Sequence, residues 1–418
     1  MLPSFDLNLY DDLDPAPRLL MGPGPIDADP RVLRAMAAPL LGQFDPQFRR
    51  FMAETQTLLR RVFQTENEAT LLIDGTARSA IEAAMVSLIE PGDVVLVASF
   101  GRFGQLKAEI AGRVGADVRL VECPWGSVFD TATIEAALAE HRPSLLAVCH
   151  GDTSTTMAQP LAEIARLARD HGALLLVDAT ATLGGMDLAV DALGIDVCTA
   201  GLQKCLAGPP GVAPITLSPA AVERIRARRH VEAGIRTSND LPGNGRRIAS
   251  NYFDLAMILD YWSDRALNHH TEATSMLYAA RECARILVKD GLGAAVARHA
   301  LAGHAMASGL SAMGLALYGD QAHKMPNVTG VHIPAGIDGD GVRQAMLDHY
   351  GIEIGTSFGP LHGKIWRLGT MGYNARRSAV MMTLAALEAC LVRAGAKVPQ
   401  GAGTSAALSV FQRAGGGR

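Results

Sequence analysis

Short apolar runs alternate with stretches of helical spacing between residues 69 and 200. The apolar runs are four or five residues long and lie at 70–73, 94–98, 118–121, 145–149, 174–177 and 197–200. Apolar residues recur at helical spacing in the stretches between them, at 79–89, 105–114, 131–141 and 161–171. This alternation predicts an α/β fold with a mainly parallel sheet, whose functional loops follow the carboxyl ends of the strands.

The pattern changes after a long helical stretch at 272–287, which we expect to connect two domains. Strand-like runs at 315–318 and 328–333 then combine with helical stretches at 341–349 and 379–392, which predicts a smaller α+β domain. The last residues are rich in Gly, Ala and Ser and predict a flexible tail. The predicted boundaries are an N-terminal arm at 1–21, a large domain at 22–287, a small C-terminal domain at 288–397 and a tail at 398–418.

The composition is that of an ordinary globular chain. Of its 418 residues 49% are hydrophobic and 19% charged, and the formal net charge is -4, so we expect neither nucleic acid nor an anionic membrane as a partner. The six cysteines show no metal-ligand spacing, so we expect no metal site, reduced thiols and a cytoplasmic location. The N-terminus is acidic and no window approaches 18 consecutive apolar residues, so we expect neither a secretory signal nor a membrane span.

An acid and an amine follow two neighbouring apolar runs. The run at 174–177 ends abruptly in Asp178, and Lys204 lies shortly after the run at 197–200. Both side chains are therefore expected at the same edge of the sheet. Pyridoxal phosphate chemistry needs such a pair, because a lysine holds the aldehyde as a Schiff base and a carboxylate keeps the pyridine nitrogen protonated. The alternative from this stretch alone is a solvated loop lysine and an acid that caps a helix.

Other candidate residues follow the same strand ends. Thr76 opens a helix after a strand, where backbone N–H groups can hold a phosphate. Phe103 can lie flat against a cofactor ring, and Thr153 belongs to a hydroxyl-rich loop. Arg367 stands within a strand-like apolar run, where a substrate carboxylate is the natural partner of its guanidinium. The alternatives are an N-cap, a core aromatic residue, an ordinary turn and an internal ion pair.

Eight ordered motifs carry a resemblance to a known family. They are GPGP, DGTARSAIEAA, GRFGQ, HGDTST, LLLVDATATLGG, GLQK, HHT and WRLGTMG. In this order they resemble the class V aminotransferases of the fold-type I pyridoxal phosphate enzymes, specifically the alanine/serine–glyoxylate group. The resemblance implies a mainly parallel seven-stranded sheet in the large domain and a homodimer with shared active sites. It also implies that pyridoxal 5'-phosphate is bound covalently to Lys204, that Asp178 pairs with the pyridinium and that Phe103 stacks on the ring.

The same resemblance implies the remaining contacts of the site. The other cofactor contacts are Thr76, Ala77, Arg78, Thr153, Thr180, Gln203 and, in the phosphate site of the partner subunit, Thr271. Arg367 holds the substrate carboxylate, and Gly24 of the GPGP motif is placed with the substrate-binding residues. Two positions depart from the alanine–glyoxylate pattern, which usually has tyrosine at Asn268 and valine at Thr180.

Asn268 and Gln43 change the expected substrate. Together with GPLHGK near the C-terminus, they resemble the ureidoglycine–glyoxylate aminotransferases of purine breakdown, in which the equivalent residues recognise the ureido group. Primary amides satisfy both the donors and the acceptor of that group, whereas burying it unpaired costs about 1 to 3 kcal/mol per polar group. The implied reaction transfers the amino group of (S)-ureidoglycine to glyoxylate and gives oxalurate and glycine. The alternative is that both residues have only structural roles, Gln43 as a loop residue and Asn268 as a helix cap.

Several other functions are compatible with part of this pattern. Within the family, the alternatives are alanine–glyoxylate, serine–glyoxylate and pyridoxamine–pyruvate aminotransferases. A cysteine desulfurase commonly has a histidine before the lysine, where this chain has Gln203, and it needs a cysteine in the loop before Arg367. A nicotinamide dehydrogenase needs a glycine fingerprint that DGTARS does not supply. A non-catalytic protein is disfavoured by the joint presence of Lys204, Asp178 and Arg367.

Overall fold

The structure, a computed structural model, describes residues 12–415. Its strands are β1 Leu19–Leu20, β2 Ala69–Gly75, β3 Val94–Ser99, β4 Asp117–Glu122, β5 Leu145–Cys149, β6 Gly151–Asp152, β7 Met157–Ala158, β8 Leu174–Asp178, β9 Val197–Thr199, β10 Gly211–Leu217, β11 Val328–His332, β12 Ile352–Glu353, β13 Gly355–Thr356 and β14 Ile365–Gly369. Its α-helices are α1 Pro30–Met36, α2 Pro46–Phe63, α3 Ala77–Leu88, α4 Arg102–Val114, α5 Thr131–His141, α6 Ala162–Asp170, α7 Val190–Leu193, α8 Pro219–Ala227, α9 Leu255–Trp262, α10 Thr274–Asp290, α11 Leu292–Ala312, α12 Gly339–Tyr350, α13 Arg377–Arg393 and α14 Ala402–Gly415.

The main sheet has seven strands in the order β2-β10-β9-β8-β5-β3-β4. Every neighbouring pair is parallel except the two pairs that involve β10, so the predicted mainly parallel seven-stranded sheet is confirmed. The central strands are buried along their length because helices cover both faces. In register, Cys149 lies beside Asp178, and Asp178 lies beside Thr199. The carboxyl ends of β5, β8 and β9 therefore meet at one edge of the sheet.

Two elements differ from the strand prediction. The seventh strand, β10, was not predicted; its sequence GVAPITL contains Pro214, a residue that normally argues against a central strand. The predicted strand at 315–318 is reduced to a single bridge between Leu317 and Val331. Gly314 and Gly319 flank that run with positive φ angles of 79° each, so the chain turns before a strand can extend.

A second hydrophobic core, separate from the one that packs on the main sheet, lies around the three-stranded antiparallel sheet β11-β14-β13. It consists mainly of residues from α11 to α14, among them Ala407 and Val410 of α14, and it also includes Met21. The flexible tail predicted at 398–418 is therefore wrong for residues 402–415, which form α14 and pack against α11. Small residues allow this packing, because Gly309 and Gly403 let the two helices approach closely.

The N-terminal arm predicted at 1–21 is only partly described. Its first eleven residues lie outside the described part of the chain. The end of the arm is anchored, because β1 pairs in parallel with β12 and Met21 is buried in the second core. The remaining domain boundaries stay predictions. None of the helices in residues 12–415 combines the length and the apolar character needed to cross a membrane.

Candidate active site

A cavity of about 170 Å³ opens at the edge of the sheet where β2, β5 and β8 end. Its lining includes nine of the ten residues that the sequence predicts as cofactor contacts: Thr76, Ala77, Arg78, Phe103, Thr153, Asp178, Thr180, Gln203 and Lys204. These residues come from five separate segments of the chain. The arrangement follows from the parallel sheet, since loops after neighbouring strands converge at the same edge.

Lys204 is buried, with 8% of its surface exposed. Its Nζ donates a hydrogen bond to the carbonyl oxygen of Pro23. A side chain at Gly24 would overlap the end of Lys204, and Gly24 has a φ of 104°, so only glycine suits this turn. Burial, followed by the positive charge of Arg367, lowers the pKa of Lys204 to about 8. The amine is therefore available without a proton at mildly alkaline pH.

Asp178 ends β8 and lines the cavity, with both carboxylate oxygens held. Thr180 N–H donates to Oδ1 at 2.9 Å, and Nζ of Lys107 donates to Oδ2 at 2.9 Å. Burial acts to raise the pKa of Asp178, but Lys107 and the hydrogen bonds from Thr180 outweigh it, so the pKa lies below its ordinary value. Asp178 is therefore ionised and can face a cationic partner in the cavity.

Lys107 is the residue of this site that the sequence prediction missed. Its side chain is fully buried, and its Nζ also contacts Cys149 Sγ at 2.8 Å and Phe103 O at 3.1 Å. The available signal was its helical spacing, because Lys107 lies three and four positions before the buried residues Ile110 and Ala111 on the inner face of α4. A lysine on such a face needs a buried anion.

One end of the cavity is suited to an anion. Thr76 is the N-cap of α3, it makes no side-chain capping bond, and Ala77 opens the helix. The N-terminus of α3 therefore offers free N–H groups and the positive end of the helix dipole, with the Arg78 guanidinium beside them. Gln203 Oε1 and Thr180 Oγ1 are buried without a hydrogen-bond partner among the described residues. These atoms need a polar group in the cavity.

Arg367 lies in β14 and is 4% exposed. It donates to the carbonyl oxygens of Thr356 and Thr153, the latter at 2.7 Å, which ties it to the loop after β5. Within residues 12–415 no carboxylate pairs with Arg367, so the alternative of an internal ion pair is not borne out there. Burial lowers the pKa of Arg367 to about 10. The guanidinium is still charged at neutral pH, and a bound anion would compensate the cost of burying this charge.

Arg367 is also packed against an aromatic ring. Its guanidinium carbon lies 4.9 Å from the ring centroid of Phe358, and that of Arg102 lies 4.4 Å from the same centroid. Phe358 is 38% exposed. The ring therefore orients two cations through cation–π contacts. Arg367 itself does not line the cavity, but it contacts Thr153, which does.

Gln43, Asn268 and Thr271 do not line the cavity. Gln43 Nε2 donates to Asn268 Oδ1 at 2.8 Å, although the two residues are 225 positions apart. Gln43 Oε1 has no hydrogen-bond partner among the described residues, and Asn268 and Thr271 are exposed. The structure thus brings the two predicted ureido-binding amides together, on the surface of one chain and away from the lining of the Lys204 cavity.

The fold and the cavity together define a class of protein: an α/β transferase with a lysine and an ionised aspartate at the carboxyl edge of a seven-stranded sheet. The family model for class V aminotransferases matches residues 35–364. The chain belongs to this family and is an aminotransferase.

Relatives in this family differ in their similarity to the chain. An (S)-ureidoglycine–glyoxylate transaminase of Bacillus subtilis is 51% identical over 401 residues, covering 95% of this chain and 96% of the relative. An alanine–glyoxylate aminotransferase of Drosophila melanogaster is 34% identical and covers 89% of this chain and 91% of the relative. The crystal structure of the ureidoglycine–glyoxylate aminotransferase from Bacillus subtilis superposes with a TM-score of 0.91 at 48% identity, covering 96% of this chain and all of that one.

Proposed function

We propose that this aminotransferase transfers the amino group of (S)-ureidoglycine to glyoxylate and releases oxalurate and glycine. The observation that carries this assignment is the amide pair of Gln43 and Asn268. The 51% identity to the Bacillus subtilis transaminase supports it. We propose pyridoxal 5'-phosphate, covalently attached to Lys204, as the cofactor.

The residues around the cavity fit that cofactor. The N-terminus of α3 with Thr76, Ala77 and Arg78 would hold the phosphate, and Gln203 would donate a hydrogen bond to it from its side-chain NH₂ group. Phe103 would cover the ring, Thr153 and Thr180 would contact its polar edge, and Asp178 would face the ring nitrogen. When bound, the cofactor supplies an electron sink that makes the α-hydrogen of an amino acid acidic.

Lys204 has two tasks in this proposal. Its Nζ holds the cofactor between turnovers, and once displaced by the amino donor it takes the α-proton as a general base. The pKa near 8 suits the second task, because burial and Arg367 leave far more of the amine unprotonated near neutral pH than in an exposed lysine. Gly24 contributes by leaving space for the lysine to move.

Arg367 orients the substrate through its α-carboxylate. The carbonyl oxygens of Thr356 and Thr153 fix the guanidinium plane, so it is preorganised for a bidentate contact. Each substrate in the proposed reaction carries a carboxylate beside the reacting carbon. The same residue can therefore serve both halves of the reaction.

The amide pair provides the specificity for the ureido group. With Gln43 Nε2 donating to Asn268 Oδ1, the carbonyl oxygen of Gln43, which is buried in one chain, and the NH₂ group of the exposed Asn268 have no hydrogen-bond partner among the described residues. A ureido group has N–H donors for the former and a carbonyl acceptor for the latter. An alanine side chain would leave both amides unpaired, which favours the ureido donor by about 1 to 3 kcal/mol per group when they are buried.

The amide pair must reach a cavity that it does not line in one chain. We propose a homodimer in which Gln43 and Asn268 of one protomer complete the substrate site of its partner, and Thr271 completes the partner's phosphate site. The exposure of Asn268 and Thr271 supports this arrangement. We also propose a cytoplasmic location, which the reduced cysteines, several of them buried, support.

A substrate panel tests the donor assignment. Ureidoglycine, alanine, serine and pyridoxamine are compared as donors, with glyoxylate or pyruvate as acceptor. We expect a clear preference for ureidoglycine, and Gln43→Ala or Asn268→Ala should lower its kcat/KM by about 5- to 150-fold without lowering the alanine rate. Gln344→Ala, which removes a surface amide bonded to Asp348, is the matched control. A preference for alanine that Gln43→Ala leaves unchanged would end the proposal.

The cofactor assignment has its own test. Borohydride treatment of the purified protein, followed by peptide mass spectrometry, should find the reduced cofactor on Lys204. The exposed Lys289 on α10 serves as the control lysine. A colourless protein with an unmodified Lys204 would overturn the assignment.

A further inference from the structure

Lys107 occupies an unusual position for a charged side chain. It is fully buried in α4, and its three N–H donors reach Asp178 Oδ2, Cys149 Sγ and Phe103 O at 2.9, 2.8 and 3.1 Å. An ammonium group has three donors, so the geometry satisfies it completely. Lys107 itself does not line the cavity, whereas Asp178 and Phe103 do. Lys107 therefore holds Asp178 and Phe103 in place from outside the cavity that they line.

Stability alone does not explain a buried ion pair. Taking two charges out of water offsets most of their attraction, and apolar replacements of such pairs are often neutral or stabilising. The contact with Asp178 has a more specific consequence. Burial by itself acts to raise the pKa of this carboxyl group, and the positive charge of Lys107 is the largest effect that lowers it. Without Lys107, Asp178 would tend to take up a proton.

The other ionisable groups beside the pair do not carry a compensating charge. Burial raises the pKa values of the Cys149 and Cys198 thiols, so they remain protonated. Burial also raises the pKa of Asp152, whose carboxylate oxygens accept hydrogen bonds from Phe103 N and Ser154. Burial acts to lower the pKa of Lys107, but the charge of Asp178 outweighs it. Among the described residues, Lys107 is thus the cation that contacts Asp178.

We propose that Lys107 is a positioning residue that keeps the proton shared between Asp178 and the cofactor ring on the ring nitrogen. The proposal rests on the proposed cofactor. Two arrangements of that proton are possible: a neutral acid beside a neutral ring nitrogen, or a carboxylate beside a protonated one. The cation on the far side of Asp178 favours the carboxylate. A protonated ring nitrogen is what makes the ring an effective electron sink.

The magnitude is large enough to measure. An opposite charge in contact shifts the pKa of a carboxyl group by about 1 to 3 units, so Lys107 biases the position of the proton by about 10- to 1,000-fold. Removal of the charge should lower kcat by about tenfold or more. Lys107→Met keeps the length of the side chain and removes its charge, whereas Lys107→Arg restores the charge.

The direct test labels the ring nitrogen of pyridoxal phosphate with nitrogen-15 and records its NMR signal in the holoenzyme. We expect a protonated ring nitrogen in the wild type, an unprotonated one in Lys107→Met and recovery in Lys107→Arg. If Lys107→Met does not fold, Lys107→Gln replaces it, because its amide keeps two N–H donors without a charge. Cys149→Ser removes the thiol contact and should keep the nitrogen protonated. A protonated ring nitrogen in the neutral variants would overturn the proposal.

The protein without its cofactor provides a second readout. In the wild type, the lowered pKa of Asp178 gives stability that is present above the pKa of the unfolded chain and lost as the pH falls. In Lys107→Met we expect burial to raise the pKa of Asp178 above its unfolded value, so the stability that Asp178 contributes should instead decrease as the pH rises above about 4. The difference in thermal midpoint between the two should widen with pH. A constant difference would also contradict the proposal. A wild type that fails to label Lys204 would contradict the proposed function instead.

Discussion

The lowered pKa of Lys204 has two causes, burial and the charge of Arg367, and a mutation can remove the second without the first. Burial is the larger cause of its lowered pKa and the charge of Arg367 is the second. We predict that the rate at which the cofactor-free protein attaches pyridoxal phosphate rises with pH through about 8, because only the unprotonated amine reacts. Arg367→Met should move this midpoint upward, but only part of the way to the ordinary lysine value, since burial remains.

Trapping with borohydride at a series of pH values measures this midpoint without any amino acid substrate. Arg102→Met is the matched control, because Arg102 packs on the same Phe358 ring and its charge does not contribute to the lowered pKa of Lys204. Its midpoint should stay near that of the wild type. An Arg367→Met profile that coincides with the wild type would show that the guanidinium does not act on Lys204.

At the residue scale, the sequence predicts that a residue belongs to the site when a local pattern, such as the end of an apolar run, fixes where its side chain lies. Asp178 and Lys204 stand just after apolar runs, and the strand-end rule is enough to bring them together. Lys107 pairs with a residue 71 positions away, and no local pattern encodes that contact. Gln43 and Asn268 were linked through the family resemblance rather than through spacing, and their direct hydrogen bond is visible only in the structure.

Helix α11 contains two glycines with opposite surroundings. A Cβ at Gly303 would overlap the carbonyl oxygen of Pro326, whereas one at Gly293 would meet nothing within 4 Å. Alanine has a higher helix propensity than glycine by about 1 kcal/mol. We therefore predict that Gly293→Ala stabilises the protein by up to about 1 kcal/mol, while Gly303→Ala destabilises it by about 1 to 3 kcal/mol because the backbone must shift.

Chemical denaturation of the two variants measures both effects against the wild type. The comparison isolates packing, because the substitution and the helix are the same. Equal changes in the free energy of unfolding for the two variants would show that propensity alone decides, and that α11 does not press against Pro326.

The segment that carries Asn268 and Thr271 is held to the end of β2 by a buried carboxyl pair. His270 Nε2 lies 3.3 Å from Asp74 Oδ2 and 3.8 Å from Glu272 Oε2. Burial, followed by the negative charge of Asp74, raises the pKa of Glu272 well above its ordinary value. The folded chain therefore holds a proton that the unfolded chain releases above about pH 4.5. The free energy of unfolding therefore decreases as the pH rises from the pKa of Glu272 in the unfolded chain to its higher pKa in the folded chain.

Glu272→Gln removes this titration while keeping the shape of the side chain. We predict that its thermal midpoint rises relative to the wild type as the pH increases from about 5 to about 8. Glu282→Gln is a control of opposite sign, because the hydrogen bond from Arg285 lowers the pKa of Glu282. Its midpoint should fall relative to the wild type as the pH rises toward about 5, and the difference should stay constant above that pH. A pH-independent difference for Glu272→Gln would contradict the prediction.

Elements were predicted where their pattern is self-contained. The central strands and the helices between them have clear periodicity and were placed correctly. Strand β10 contains a proline, and α14 consists largely of small residues, so neither has a strong local signal. Helix α14 exists because α11 offers a matching surface of small residues at Gly309, which is a tertiary effect that a sequence window does not contain.

At the scale of the whole molecule, the residues of the proposed site fall into two groups within one chain. The cavity contains Lys204 and Asp178, while the amide pair of Gln43 and Asn268 lies outside its lining. In a symmetric dimer each protomer would supply one half to its partner, so both sites are completed by the same interface. The proposed reaction then requires two chains although each chain has a full set of residues.

This requirement can be tested by mixing two variants that are impaired for different reasons. Lys204→Ala lacks the proposed cofactor attachment, and Asn268→Ala lacks the proposed ureido contact. In a mixed dimer, one site combines the intact Lys204 of one chain with the intact Asn268 of the other. Random exchange of equal amounts makes about half of the dimers mixed, so about a quarter of all sites should regain wild-type activity toward ureidoglycine. If both residues serve the cavity of their own chain, mixing gives no activity above the residual activity of Asn268→Ala, and a mixture of Asn268→Ala with the double variant Lys204→Ala, Asn268→Ala measures that baseline.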